Sequence, residues 1–182
     1  MKSLLLRAPA LALAYVVLAA APAQAQTVPD GPVTIFLKEH EHLPLAVADG
    51  AAQLSADAAL WEFRASEAFL TVGEYQIVHQ DSGQCLTADT SGGVETAPAL
   101  LADCADAIAW LVEFDTAQGH KDYRFATPDG HFLGLVEDGD AVEGAEVLAV
   151  EPDMNDSLHI QEWLYTQGAA EEPTTAAPAT AP

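Results

Sequence analysis

Alternation, or clusters of β-branched and aromatic residues, marks four segments of the chain: Val33–Leu37, Tyr75–His79, Tyr123–Ala126 and Val147–Val150. A side-chain period of two with this composition predicts half-buried β-strands. Turn signals bound them at Asp49-Gly50, Ser91-Gly92-Gly93, Asp129-Gly130 and Asp138-Gly139, residues that accept the backbone of tight turns. The alanines of Ala51–Leu60 suggest a short helix. Everything else points to a many-stranded all-β protein.

A longer pattern overlies the strands. Trp61-Glu62-Phe63, Trp110-Leu111-Val112 and Trp163-Leu164-Tyr165 each read Trp-x-apolar. Each follows an opening strand signal: Val33-Thr34-Ile35, Tyr75-Gln76-Ile77 and Tyr123-Arg124-Phe125. Recurrence at about fifty residues means one supersecondary unit used three times, because one unit cannot bury its own apolar face. The register extends inside the units. Gly83-Gln84-Cys85-Leu86 precedes Cys104 by the same distance at which Gly130-His131-Phe132-Leu133 precedes Glu151, with apolar runs Leu100-Leu101-Ala102 and Val147-Leu148-Ala149 between. The first unit, with His42-Leu43-Pro44-Leu45 and Gln53-Leu54-Ser55-Ala56 in the matching places, fixes its register only to within one or two residues. The predicted core is Trp61, Trp110 and Trp163 with Leu54, Leu86, Leu101, Phe132, Leu133 and Leu148, since matching positions of repeated units meet at a common axis.

Tyr-x-Ile, Ser-Gly-x-Cys-Leu over Ser82 to Leu86, a second cysteine and then a tryptophan resemble the repeat of ricin-B-type β-trefoil lectins. Gln161-Glu162-Trp163 matches that family's Gln-x-Trp signature. The resemblance covers roughly Pro32 to Gln167. It implies an all-β β-trefoil, twelve short strands in three four-stranded repeats with pseudo-threefold symmetry. It also implies an intra-repeat disulfide between Cys85 and Cys104, since an even pair in an exported chain favours a bridge over a metal or catalytic pair.

Sugar-competent repeats of that family place an aspartate directly after Cys-Leu, an aromatic platform two residues before the second cysteine and a polar residue before the Gln of Gln-x-Trp. Carried over, the aspartate place holds Thr87 and Gly134, and roughly Leu45 in the first repeat. The platform place holds Ala102 and Ala149, and the last polar place Ala107 and Ile160. Gln161 is kept, and Asp89, two residues beyond the expected position, could serve only on a bulged strand. The implied function is a lectin-like binding module with its usual sugar contacts missing. Candidate ligand-binding residues are Thr87, Asp89, Gln161 and, on an acidic hairpin, Asp138 and Asp140. The same fold also hosts proteinase inhibitors. For that alternative the candidate is the inserted loop Pro152 to His159, with Asp153, Met154, Asn155 and Asp156 at its centre, because loops on rigid scaffolds carry function disproportionately.

The ends of the chain read differently from its middle. Lys2 and Arg7, the apolar run Ala10 to Ala21 and Ala23-Gln24-Ala25 predict a secretory signal peptide over residues 1–25, its apolar run short of the about 20 residues of a membrane span. The expected trefoil domain is 26–168, with repeats about 32–70, 71–119 and 120–167, and 169–182 is an Ala/Pro/Thr tail expected to be disordered. The protein is expected to be secreted or periplasmic, with no membrane insertion after cleavage. The formal net charge of −22 becomes more negative when Lys2 and Arg7 leave. Such a surface repels phosphate backbones and disfavours nucleic acid; the partners left are a glycan or an extracytoplasmic protein.

Other chemistry is thinly represented. His40 and His42 would share one face of a strand and could begin a zinc site, but a third ligand is wanting. Glu137-Asp138-Gly139-Asp140 with Glu143 offers oxygen ligands without the spacing of a calcium loop. There is no Gly-x-Ser-x-Gly, no cysteine beyond the presumed bridge and no phosphate-cradling glycine loop. No enzyme activity, metal or cofactor is expected.

Overall fold

The computed structural model describes residues 28–65, 73–115, 122–152 and 158–167. The expected leader 1–25, the expected tail 169–182 and the loop residues Asp153, Met154, Asn155 and Asp156 lie outside them. Six strands form a closed barrel: β1 (Val33–Leu37), β4 (Trp61–Ala65), β5 (Glu74–His79), β9 (Trp110–Asp115), β10 (Asp122–Ala126) and β13 (Trp163–Gln167). Each pairs antiparallel with the next, β1 with β4, β4 with β5, β5 with β9, β9 with β10, β10 with β13, and β13 back to β1. Closure leaves the barrel no free edge. Hairpins cap one end: β2 (Leu45–Ala48) with β3 (Ala51–Leu54), β6 (Cys85–Thr87) with β8 (Leu100–Ala102), and β11 (Phe132–Gly134) with β12 (Leu148–Val150). This is a β-trefoil.

The pseudo-threefold axis is written in hydrogen bonds. Ala52 N–H donates to Ala99 C=O (2.8 Å), Ala99 N–H to Val147 C=O (3.1 Å) and Val147 N–H to Ala52 C=O (2.9 Å), closing a ring of three buried residues. The tryptophans repeat as strictly. Their Nε1–H groups donate to the carbonyls of Leu45, Leu86 and Leu133 at 3.0, 2.8 and 2.9 Å, so each indole fills the core and satisfies its one polar group. Val33, Tyr75 and Tyr123 pair with Trp61, Trp110 and Trp163 respectively.

Of the predicted core, the three tryptophans, Leu54, Leu86 and Leu133 are fully buried. Leu101, Phe132 and Leu148 are only half-buried, because they sit on cap hairpins with one face toward solvent. A thirteenth strand, β7 (Thr96–Pro98), joins β12 where twelve strands were expected. No helix forms over Ala51–Leu60. Asp49-Gly50 (φ 50° and 81°) turns the chain back, and Ala51–Leu54 pairs with Leu45–Ala48, so long-range pairing overrides alanine's helical preference. Asp138-Gly139 makes a 3-10 turn over Asp138–Asp140 instead of a hairpin tip. His40 and His42 lie in turns after β1 instead of on a strand.

Cys85 and Cys104 are joined by a disulfide. Cys85 lies in a small apolar cluster with Val78 and Ala107, and Gln76 Nε2 donates to the Cys104 carbonyl (2.5 Å). Replacing both cysteines by serine should lower the free energy of unfolding by about 3 kcal/mol, by releasing a closed loop in the unfolded chain. Urea denaturation of wild type and double variant measures this, and coincident midpoints would contradict it.

Candidate functional site

The cap hairpins carry the positions where lectin repeats hold sugar. The tryptophan hydrogen bonds fix the register: Leu45, Leu86 and Leu133 are equivalent, so Ala46, Thr87 and Gly134 occupy the aspartate place. The expectation of Leu45 in the first repeat is therefore corrected by one residue. The platform place is corrected too. Cys85 pairs with Ala102 and Phe132 with Val150, so Val150, and not Ala149, matches Ala102. The equal spacing in sequence hid one extra residue in the third hairpin.

None of these places assembles a carboxylate beside an aromatic ring. Thr87 Oγ1 accepts the Ile108 N–H (3.3 Å) and serves the backbone. Asp89 is exposed and accepts the Ser91 N–H (3.1 Å), capping the Ser91-Gly92-Gly93 turn. Hydrogen bonds from the side chain and backbone of Ser91 hold its carboxyl below the usual range. Gln161 is buried, and it closes the third position: a Cβ on Gly134 would stand 2.2 Å from the Ile160 carbonyl oxygen and 2.9 Å from Gln161 Cγ. Real Cβ contacts do not come so close, so no carboxylate can be built at residue 134 while the 3-10 turn Leu158–Gln161 lies over it.

The acidic turn is likewise divided. Asp140 accepts the Glu137 N–H (3.3 Å), and the exposed Asp138 lies 3.7 Å from His40 Nε2. Glu143 accepts from Ser55 Oγ (2.7 Å) and the Ala56 N–H (2.8 Å), tying the third repeat to the first. These bonds lower its pKa, Ser55 contributing most. His40 and His42 rings lie 6.3 Å apart, and among the described residues no three His, Cys, Asp or Glu side chains gather closely enough to hold a metal.

What the sequence did not announce is a cleft of about 520 Å³ beside this turn, lined by Glu95, Thr96, Val136, Glu137, Glu151 and Pro152. It forms where β7 joins β12, the threefold counterpart of the Ala51–Leu100 and Gln53–Glu146 pairings, which here runs on through Thr96 and Val150 and brings Glu95 to Glu151, whose N–H donates to the Glu95 carbonyl (2.8 Å). The exposed Val136 adds an apolar side chain to its lining. The inserted loop that begins at Pro152 borders the cleft, but its central residues Asp153 to Asp156 lie outside the described ones.

No protein-family model matches the chain, nor does any curated protein. Solved structures do match. A designed threefold-symmetric protein, ThreeFoil, aligns with TM-score 0.57 and 18% identity over 76% of this chain and 99% of its own. The Macrolepiota procera ricin B-like lectin, solved with lactose, gives 0.59 and 15% over 79% and 99%. The Polyporus squamosus lectin, solved with a sialylated epitope, gives 0.55 and 15% over 78% of this chain and 50% of its own. With the closed barrel, the capping hairpins and the three tryptophan anchors, these alignments establish that the chain has the β-trefoil fold, the fold of these ricin B-like lectins.

Proposed function

We propose that the protein is an exported, non-catalytic, lectin-like binding module whose glycan recognition has left the usual repeat positions for the acidic cleft beside Glu137. The observation that carries this reading is the pairing of a closed third position, Gly134 under Ile160 and Gln161, with an open cleft next to it. Carboxylates at Glu95, Glu137 and Glu151 accept hydroxyl or amine protons, and Val136 packs against the apolar face of a ring. A strongly negative surface favours neutral and amino sugars over sialylated or sulfated ones. Export is supported by the leader-like residues 1–25 and by the disulfide, a bond of oxidising compartments. Among the described residues no helix is long and apolar enough to cross a membrane. Ser82 Oγ approaches His79 Nδ1 (2.9 Å) only in an exposed turn, where Ser82 also accepts the Gln84 N–H, an arrangement that serves the turn and not a nucleophile.

Calorimetric titration with galactose and lactose should show affinities no tighter than about 1 mM, since each hydroxyl left unpaired in a buried site costs about 1–3 kcal/mol. A glycan array should show binding to uncharged or amino-sugar glycans that Glu137→Gln with Glu151→Gln abolishes. Micromolar galactoside binding lost on Thr87→Ala or Asp89→Ala would overturn the proposal.

A further inference from the structure

The barrel end opposite the cap opens into a second cavity of about 520 Å³. It lies where β4 and β13 end and β5 begins, beside the segment leading into β1, and is lined by Phe63, Ala65, Tyr75, Tyr165, Asp30 and Gln167. Val33 stands where the other repeats place Tyr75 and Tyr123, so the first repeat lacks a ring that the others supply. The remaining rings are held firmly: Phe63 meets Tyr75 edge-on (6.4 Å, 86°), and Tyr165 leans on Tyr123 (5.1 Å, 55°).

We propose that this barrel mouth binds an organic ammonium ion, a quaternary or alkylated amine, between the faces of Tyr75 and Tyr165 with the carboxylate of Asp30 at the rim. Aromatic faces attract a cation within about 6 Å of the ring centroid, and the attraction grows when the ion sheds water. None of the described residues lining the cavity is Lys, Arg or His. The nearby cations are engaged elsewhere, Arg64 with Glu62, and Lys38 and Arg124 with Glu162. The net charge of −22 draws cations toward the mouth and repels anions. A sugar would need several directed hydrogen-bond partners. Here the Gln167 amide already donates to the Asp30 carbonyl (3.5 Å). The site is separate from the acidic cleft, so its success or failure leaves the glycan proposal untouched.

Choline and its uncharged carbon isostere, 3,3-dimethylbutan-1-ol, test the claim by calorimetry on the full chain at low salt. Choline should saturate one site with Kd below about 1 mM, and the isostere should bind at least about tenfold more weakly. Tyr165→Phe keeps the ring and should stay near wild type, whereas Tyr165→Leu keeps only the packing and should weaken choline about tenfold. Thermal melts of both variants confirm folding. Asp30→Asn should weaken choline several-fold at low salt and less at high salt. Equal binding of the isostere, no saturation by choline, unchanged affinity in a folded Tyr165→Leu, or lactose competing for the site would each overturn the proposal.

Discussion

Replacing Trp163 by alanine is expected to lower the free energy of unfolding by about 3–5 kcal/mol. Two effects combine. The indole is fully buried, so its removal leaves a cavity that the closed barrel cannot collapse into. The Leu133 carbonyl also loses its donor, the Nε1–H at 2.9 Å. Trp163 pairs with Leu37 and with Tyr123, which places it where the last repeat meets the first. Trp61→Ala and Trp110→Ala should cost similar amounts, because both indoles are fully buried and donate to the equivalent carbonyls of Leu45 and Leu86. Trp163→Phe separates the two effects: it keeps most of the volume and should lose about 1–3 kcal/mol, chiefly for the stranded carbonyl. Urea denaturation followed by circular dichroism measures all four variants. A loss below about 1 kcal/mol for any Trp→Ala change would mean that the three positions are not equivalent.

The repeat was legible because it rests on few, large residues. A tryptophan has little choice but the core, and three of them at even intervals carry the symmetry however the smaller residues drift. The cap was less legible for the same reason. Ala51-Ala52-Gln53-Leu54 contains nothing that prefers a strand, and only the partner Leu45–Ala48 and the ring through Ala52, Ala99 and Val147 decide its conformation. Leu101, Phe132 and Leu148 have core chemistry but cap positions, where one face meets water.

The site shows the same division. That Thr87 and Gly134 cannot replace an aspartate was visible from residue identity. That Gly134 admits no side chain at all depends on the Leu158–Gln161 turn lying over it, a contact between segments that spacing does not reveal. One extra residue in the third hairpin moved Val150 into the platform place and left the sequence spacing looking undisturbed. The acidic cleft needs β7 to run along β12 as far as Thr96 and Val150, and the barrel mouth needs the ends of β4 and β13 to meet the start of β5; both are contacts between segments that residue spacing does not show.

Lys38→Met should cost about 3–5 kcal/mol at neutral pH. Lys38 follows β1, and its ammonium reaches across to Asp122 (2.5 Å) at the start of β10 and Glu162 (2.6 Å) just before β13. Asp122 and Glu162 are 2% and 7% exposed, and Arg124 reaches Glu162 at 3.1 Å. The cluster therefore joins the first and third repeats where the barrel closes. Burial pulls the Lys38 pKa down, but hydrogen bonds and charge from Asp122 and Glu162 carry it above its ordinary 10.5. Burial likewise pushes Glu162 up, and the bonds from Lys38 and Arg124 hold it below its ordinary 4.5. A carboxyl lowered on folding stabilises above its unfolded pKa and loses that contribution as pH falls through the folded value. Wild type should thus weaken in acid below about pH 4.5. In the variant the buried Glu162 has lost the ammonium and keeps the Arg124 guanidinium, and protonation of Glu162 relieves that cost. The gap between wild type and Lys38→Met should be widest near pH 7 and narrow toward pH 4. Chemical denaturation at the two pH values reads the difference directly, and a gap that stays constant would show that the lysine contributes its packing stem and not its charge.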